Sequence, residues 1–334
     1  MKEIKIVLDA ITTDGNLDKV IIGAVKALKE LPKLKLYLVG PIDEINNQLK
    51  LNNFTSDNLI IIDAQDKITN FDNPIKAIRQ KKESSLYKCF DLLKQNEDIE
   101  GLVSAGSTGA LLCGAIMNLQ SIGKCYPSLS TLLPNENDEF FCLIDCGANV
   151  DCTPKQLLEY AEISSCYMKC MYPNKDIKVG LLSNGTEDTK GNLLTKEVFQ
   201  LLKESDVNFI GNIEGTDVLT GKCDIVVCDG FIGNIVLKNI EGSLKMVIKQ
   251  LVKKAKTTND EMEKKYLLKT VNELLSKYDL NSLSGATLLG VDKVIMKGHG
   301  NANENTIYNI VKQVYKLINN NLITNLKNEF NNKQ

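Results

Sequence analysis

Residues 104–116, SAGSTGALLCGAI, follow the apolar pair Leu102–Val103 and continue as a helical, apolar-rich stretch. Gly106, Ser107, Thr108 and Gly109 stand where a strand hands over to a helix, and that handover is the unit from which the fold is read. Short β-rich runs recur at 4–10 (IKIVLDA), 34–40 (LKLYLVG), 59–64 (LIIIDA), 101–106 (GLVSAG) and 142–147 (CLIDCG). More follow at 178–185 (KVGLLSNG), 208–215 (NFIGNIEG), 223–230 (CDIVVCDG) and 293–300 (KVIMKGHG). Helical patterns lie between them, at 17–30, 74–95, 154–170, 190–204, 232–255 and 302–318. Continuous apolar strands alternating with helices predict an α/β protein of three αβα layers, Rossmann-like, with a largely parallel sheet covered on both faces. No repeat or long linker divides the chain. A single domain over 1–330 is expected, with an αα-hairpin inserted at about 240–280 and a frayed tail in NLKNEFNNKQ, of which 331–334 lie beyond the domain.

Bulk composition narrows the function. Of the 334 residues 25% are charged and the net charge is −2, so no global field attracts nucleic acid or membrane. Arg79 is the one arginine and His299 the one histidine. Base readers and bidentate phosphate clamps lean on arginine, so nucleic-acid recognition is disfavoured. A lone histidine rules out multi-histidine metal sites. The 10 cysteines include no C-x-x-C pair and the first residues already read as a strand, so reduced thiols in a cytoplasmic protein are expected. No apolar run reaches the ~18–20 residues a membrane crossing requires.

In parallel sheets, ligands gather where strand ends meet helix N-termini. Here those ends are Asp9, SAGSTGA, DCGANVDCTP (145–154), SNGTEDTKGN (183–192), DGFIGN (229–234) and KGHGN (297–301), expected to open on one edge. Gly106 and Gly109 permit close backbone approach and Ser107 and Thr108 add hydroxyls, which suits a phosphate or carboxylate; a capped turn is the bland alternative. Neither G-x-x-x-x-G-K-[ST] nor G-x-G-x-x-G occurs in this stretch. Lys190 could neutralise a phosphate or a developing oxyanion, or simply be a solvated lysine opening a helix. Asn234 could donate to a carbonyl and Asp229 orient a neighbour, or both could cap. Asn149 and Asp151 lead into a helix whose Pro154 suits the first turn. In PIKAIRQKKESS, Lys76, Arg79, Lys81 and Lys82 form either a solvated face or a basic wall for an anion. The hairpin sets Ile240, Leu244, Val247, Ile248 and Leu251 on one side and Lys245, Lys249, Lys253, Lys254 and Lys256 around the rest. It reads equally as a structural or dimerisation cover and as a surface for an acidic protein or lipid headgroups.

Taken together, NPIKAIRQKKESS, SAGSTGAL, LIDCGANVDCTP, VGLLSNGTEDTKGN, NFIGNIE, DGFIGN, SGATLLGV and HG, from Ile4 to about Ile318, resemble the phosphate acyltransferases (PlsX type) of bacterial phospholipid synthesis. The resemblance implies transfer of a long acyl group from acyl carrier protein to inorganic phosphate, without cofactor or metal, giving acyl phosphate for a membrane-bound glycerol-3-phosphate acyltransferase. It also implies a cytoplasmic homodimer with peripheral membrane contact and a fold similar to the isocitrate/isopropylmalate dehydrogenases and phosphotransacetylase. Lys190, Asn234, His299 and Asp229 then become catalytic candidates. Substrate binding would involve Asp9, Arg79, Lys82, Ser104, Gly106, Ser107, Thr108, Gly109, Asn149, Asp151, Asn184, Thr186 and Gly230. The family's D-A-M-G-G-D is here Asp9-Ala10-Ile11-Thr12-Thr13-Asp14, its SAGNTG is SAGSTG, and its R-P-A-L-A is Tyr126-Pro127-Ser128-Leu129-Ser130. Alternatives are a phosphotransacetylase using short acyl-coenzyme A and a non-catalytic membrane-recruiting scaffold. A related dehydrogenase would need a metal-binding aspartate cluster and a nucleotide site, and neither is present at recognisable spacing.

Overall fold

The computed structural model describes residues 3–12, 15–123, 125–278 and 285–331. Thr13 and Asp14, the expected end of the hairpin at 279–280 and the tail at 332–334 lie outside them. The first half of the chain contributes β1 (Ile4–Asp9), α1 (Leu17–Glu30), β2 (Leu34–Gly40), α2 (Ile42–Leu51) and β3 (Leu59–Asp63). Then come α3 (Pro74–Gln80), α4 (Ser85–Gln95), β4 (Ile99–Ser104), α5 (Thr108–Asn118), β5 (Ser128–Pro134) and β6 (Phe140–Ile144). The second half adds α6 (Pro154–Met171), β7 (Lys178–Leu182), α7 (Leu193–Lys203), β8 (Asn208–Ile213), β9 (Ile225–Val227), α8 (Gly230–Thr257) and α9 (Glu261–Tyr278). It ends with β10 (Ala286–Leu289), β11 (Val294–Lys297), α10 (Glu304–Asn319) and α11 (Leu322–Asn331).

All strands among the described residues join one 11-stranded sheet in the order β3-β2-β1-β4-β11-β10-β5-β6-β9-β7-β8. Seven of its ten pairings are parallel. The three antiparallel ones, β11–β10, β10–β5 and β5–β6, are consecutive, so β6, β7, β8 and β9 run opposite to β1–β4 and β11. The expectation that the functional loops share one edge is therefore corrected: they leave two oppositely directed half-sheets. What unites them is register. One row of paired residues crosses every strand, through Ile61, Leu38, Leu8, Val103, Met296, Thr287, Ser130, Ile144, Val227, Leu181 and Asn212. Excluding β5 and β10, that row lies within two residues of each strand's carboxyl end. The half-sheets are thus staggered, and the loops of both emerge from the middle of the molecule.

Helices cover both faces because strand side chains alternate. Ile6 and Leu8 join the core beneath α1, α6, α7, α10 and α11, whereas Val7 faces the core under α3, α4, α5 and α8. α10 shows the local logic: Asn303 caps its start by accepting from the Thr306 amide at 2.9 Å, and Ile307, Ile310, Val311, Val314 and Leu317 are fully buried. Each such side chain is worth about 1.5–3 kcal/mol on leaving water.

Three local expectations change. The pattern at 74–95 is two helices, because the chain turns at Lys81–Ser84 and Ser84 caps α4, accepting from the Tyr87 amide. The described part of the tail, 325–331, is helical and belongs to α11, which buried Leu322, Leu326 and Phe330 pin. β5 and β10, the reversing strands, were not expected as strands. The hairpin itself forms from α8 and α9, although α8 begins at Gly230, before the anticipated start. No helix among the described residues is long and apolar enough to cross a membrane.

Candidate active site

On the β1–β4 side the site rests on a buried carboxylate. Asp9 is only 2% exposed. Its Oδ2 accepts from the Ser104 hydroxyl at 2.8 Å and its Oδ1 from the Ile11 amide at 3.1 Å. Burial raises its carboxyl to about 6, against the opposing pull of Ser85, Ser104, the Ile11 amide and the Lys297 charge. Ser104 in turn accepts from the Gly106 amide at 3.1 Å. That amide is committed inside the protein, so what Gly106 offers the cleft is close backbone approach. Ser107, by contrast, stands at the N-cap of α5 and makes no side-chain cap hydrogen bond, so it does not occupy the amides of that first turn. Gly109 serves packing: a Cβ there would stand 2.9 Å from Pro74 Cγ at the start of α3.

On the opposing side the organising residue is Asp145, fully buried after the end of β6. It accepts from the amides of Leu129, Gly147, Ala148 and Asn149 and from the Asn149 side chain at 2.7–3.2 Å. Burial raises its carboxyl while these donors oppose the shift. Asn149 also donates to the Pro127 carbonyl at 2.8 Å, and its own carbonyl accepts from the Gly230 amide at 2.8 Å. Asp229 caps α8, accepting from the Ile232 amide at 2.8 Å. Gly233 lies so close to the Asp145 carbonyl that a Cβ would stand 1.9 Å from its oxygen. The α6 cap is Thr153, in a capping box with Gln156, and Asp151 is an exposed residue before it.

Between the two sides, over β5 and β10, lies a cleft of about 630 Å³. Gly106 and Thr108 from one half-sheet line it together with Gly147, Gly230 and Asn234 from the other and His299 after β11. Partial burial lowers the His299 pKa; Glu241 opposes this, while Lys238, Lys297 and Lys245 reinforce it. The imidazole is therefore neutral near pH 7, with one N–H to donate. Lys238, Glu241 and Lys297 line the same cleft, the first two ion-paired at 3.0 Å. Cys146 lines it too, but burial and the Asp145 charge push its thiol well up, so it offers no thiolate at neutrality.

Other candidates fall elsewhere. Asn184 and Asp229 line a second cavity of about 460 Å³ with Gly191, Asn192 and Thr195, on the other side of the first turn of α8. Lys190 lines neither cavity. It is exposed and lies against Gly185, where a Cβ would stand 2.6 Å from its Cγ. Arg79, Lys82 and Thr186 are exposed and line neither, and Lys81 pairs with Asp72 at 3.0 Å, so this segment forms no wall of the cleft. Sequence reasoning passed over Asp145, Lys238 and Lys297. The signal for Asp145 and Lys297 was present, a charged residue closing an apolar run just ahead of the loop glycines.

A family model described as "Fatty acid synthesis protein" matches residues 4–325. A phosphate acyltransferase of Clostridium novyi is 37% identical over 98% of this chain and 99% of its own length. One of Clostridium acetobutylicum is 36% identical, over 97% and 98%. Among solved structures, a phosphotransacetylase from Streptococcus pyogenes aligns with a TM-score of 0.62 at 19% identity, over 96% of this chain and 94% of that one. A branched-chain phosphotransacylase from Enterococcus faecalis reaches 0.59 at 14% identity, over 94% and 99%. These structures share the three-layer fold. A cleft where two half-sheets meet and the near-full-length match to the curated relatives agree: the chain belongs to the phosphate acyltransferase family and is an enzyme of acyl transfer to phosphate.

Proposed function

We propose that the protein moves a long-chain fatty acyl group from acyl carrier protein to inorganic phosphate. One observation carries the reading: the uncapped start of α5, Asn234 and His299 line one cleft. A phosphate oxygen attacks the thioester carbonyl carbon, the C–S bond breaks, and the carrier thiol leaves with a proton as acyl phosphate forms. A thioester is already activated, so positioning two partners, worth ~7–11 kcal/mol, is the main task. The first-turn amides of α5 and the Thr108 hydroxyl hold phosphate at the positive helix end. Asn234 and the neutral His299 donate to the carbonyl oxygen as it gains charge, within the positive field of Lys238 and Lys297. Asp9 and Ser104 hold the loop, and Asn149 and Asp229 fix the start of α8. Asn184, in the neighbouring cavity, and Lys190, outside both cavities, act at longer range.

In this reading the enzyme works in the cytoplasm as a homodimer, and its acyl phosphate passes to a membrane-bound glycerol-3-phosphate acyltransferase for phospholipid synthesis. The hairpin supports peripheral membrane contact: Met246, Met262 and Tyr266 are 60%, 67% and 66% exposed among its lysines. The deciding experiment supplies purified protein and phosphate with palmitoyl-carrier protein or with acetyl-coenzyme A and follows acyl phosphate. Preference for palmitoyl-carrier protein is expected. Preference for acetyl-coenzyme A would make it a phosphotransacetylase, and no turnover with either would leave a scaffold.

A further inference from the structure

A second large cavity adjoins the cleft, and we infer that it holds the hydrocarbon tail of the acyl donor; this rests on the acyl-transfer reading above. The cavity measures about 700 Å³ and lies between α8, the end of β5, the 215–220 loop and α9. Leu133, Val218, Val236, Ile240, Leu244 and Val247 form its apolar lining. Among the described lining residues Glu136 is the one charged side chain, so no cation among them draws an anion in, while the apolar stretch suits a neutral chain. Such a volume falls in the ~300–1,000 Å³ range of small-molecule sites.

Its position relative to the cleft is the second argument. Leu133 lines both spaces. α8 separates them, giving Asn234, Lys238 and Glu241 to the cleft and Val236, Ile240, Leu244 and Val247 to the cavity. At 3.6 residues per turn these sets form adjacent stripes on one helix. A thioester whose carbonyl lies beside Asn234 can therefore run its methylenes past Leu133 without entering solvent. Val247 and Leu219, 46% and 41% exposed, form an apolar rim that a chain would cover.

The test uses the purified full-length protein, phosphate and a series of carrier-protein thioesters from butyryl to stearoyl. Ser243 lies on the cavity side of α8 and is exposed, so Ser243→Trp adds bulk to the space without entering the core. Each methylene it excludes lowers kcat/KM by about 4-fold, so the palmitoyl-to-butyryl ratio is expected to fall by more than about 10-fold. Leu244→Ala enlarges the space and is expected to move the optimum to longer chains, an opposite shift that impaired folding does not produce. An unchanged chain-length profile in both variants overturns the cavity assignment while leaving the acyl-transfer reading intact. A changed oligomeric state with an unchanged profile overturns it in favour of an interface with a second copy. Wild-type protein that forms no acyl phosphate from any thioester overturns both.

Discussion

Asp9 carries the consequences of holding a carboxyl group away from water. Its folded value near 6 lies above the ordinary carboxylate value of about 3.9. Between the two, the folded chain holds the proton more firmly than the unfolded chain. Its contribution to stability is complete below about pH 4 and is lost as pH rises through about 6. The stability of the wild type relative to Asp9→Asn is therefore expected to fall by up to about 3 kcal/mol between about pH 4 and pH 8. Urea unfolding across that range checks the sign, and a flat difference contradicts it. Asn234 and Lys190 separate on kinetics. Asn234→Ala is expected to cost ~10²–10³ in kcat, the loss of one oxyanion donor. Lys190→Ala, outside the cleft lining, is expected to cost less than about 10-fold; steady-state assays with palmitoyl-carrier protein rank the two.

α8 concentrates the demands made on a single element, since its first turn divides two cavities and its middle faces both the cleft and the apolar space. Gly233→Ala would force a methyl group against the Asp145 carbonyl, and its expected cost of at least about 2 kcal/mol exceeds the ~1 kcal/mol for removing the Asp229 cap. Thermal unfolding of Gly233→Ala and Asp229→Ala gives the order. The elements legible in the sequence were those whose pattern is local: α1 spans the expected 17–30, and α6 and α10 start within two residues of the readings. β5 and β10 were not legible. SLSTLLP is buried along its whole length, so no alternation marks it, and ATLL is four residues long. Those two strands reverse the sheet once they pair with each other, and no local pattern records a pairing of segments so far apart in sequence. The site was legible to the same degree: Asn234 and His299 line the cleft, whereas Lys238, one turn further along α8 than Asn234, carries no motif of its own, and the cleft itself exists only because distant strands pair.

At the scale of the molecule, the hairpin gathers lysines in a chain whose net charge is −2. Lys249 and Lys253 are exposed along α8. Reversing both with Lys249→Glu and Lys253→Glu is expected to weaken binding to anionic phospholipid vesicles at low salt by at least ~10-fold, since each basic residue near such a surface is worth about 1 kcal/mol. Unchanged sedimentation with vesicles would reduce the hairpin to a cover for the body. A different consequence follows from where β10 and β11 sit. They come from residues 286–297 yet occupy the centre of the sheet, between β4 and β5. Until they arrive, β4 and β5 each present a raw hydrogen-bonding margin, which is the surface that seeds misassembly. A nascent polypeptide must therefore be extended past residue 297 before its interior can shut. Translation products ending near residue 280 should collect in inclusion bodies, whereas those clipped only after Asn331 should remain dispersed.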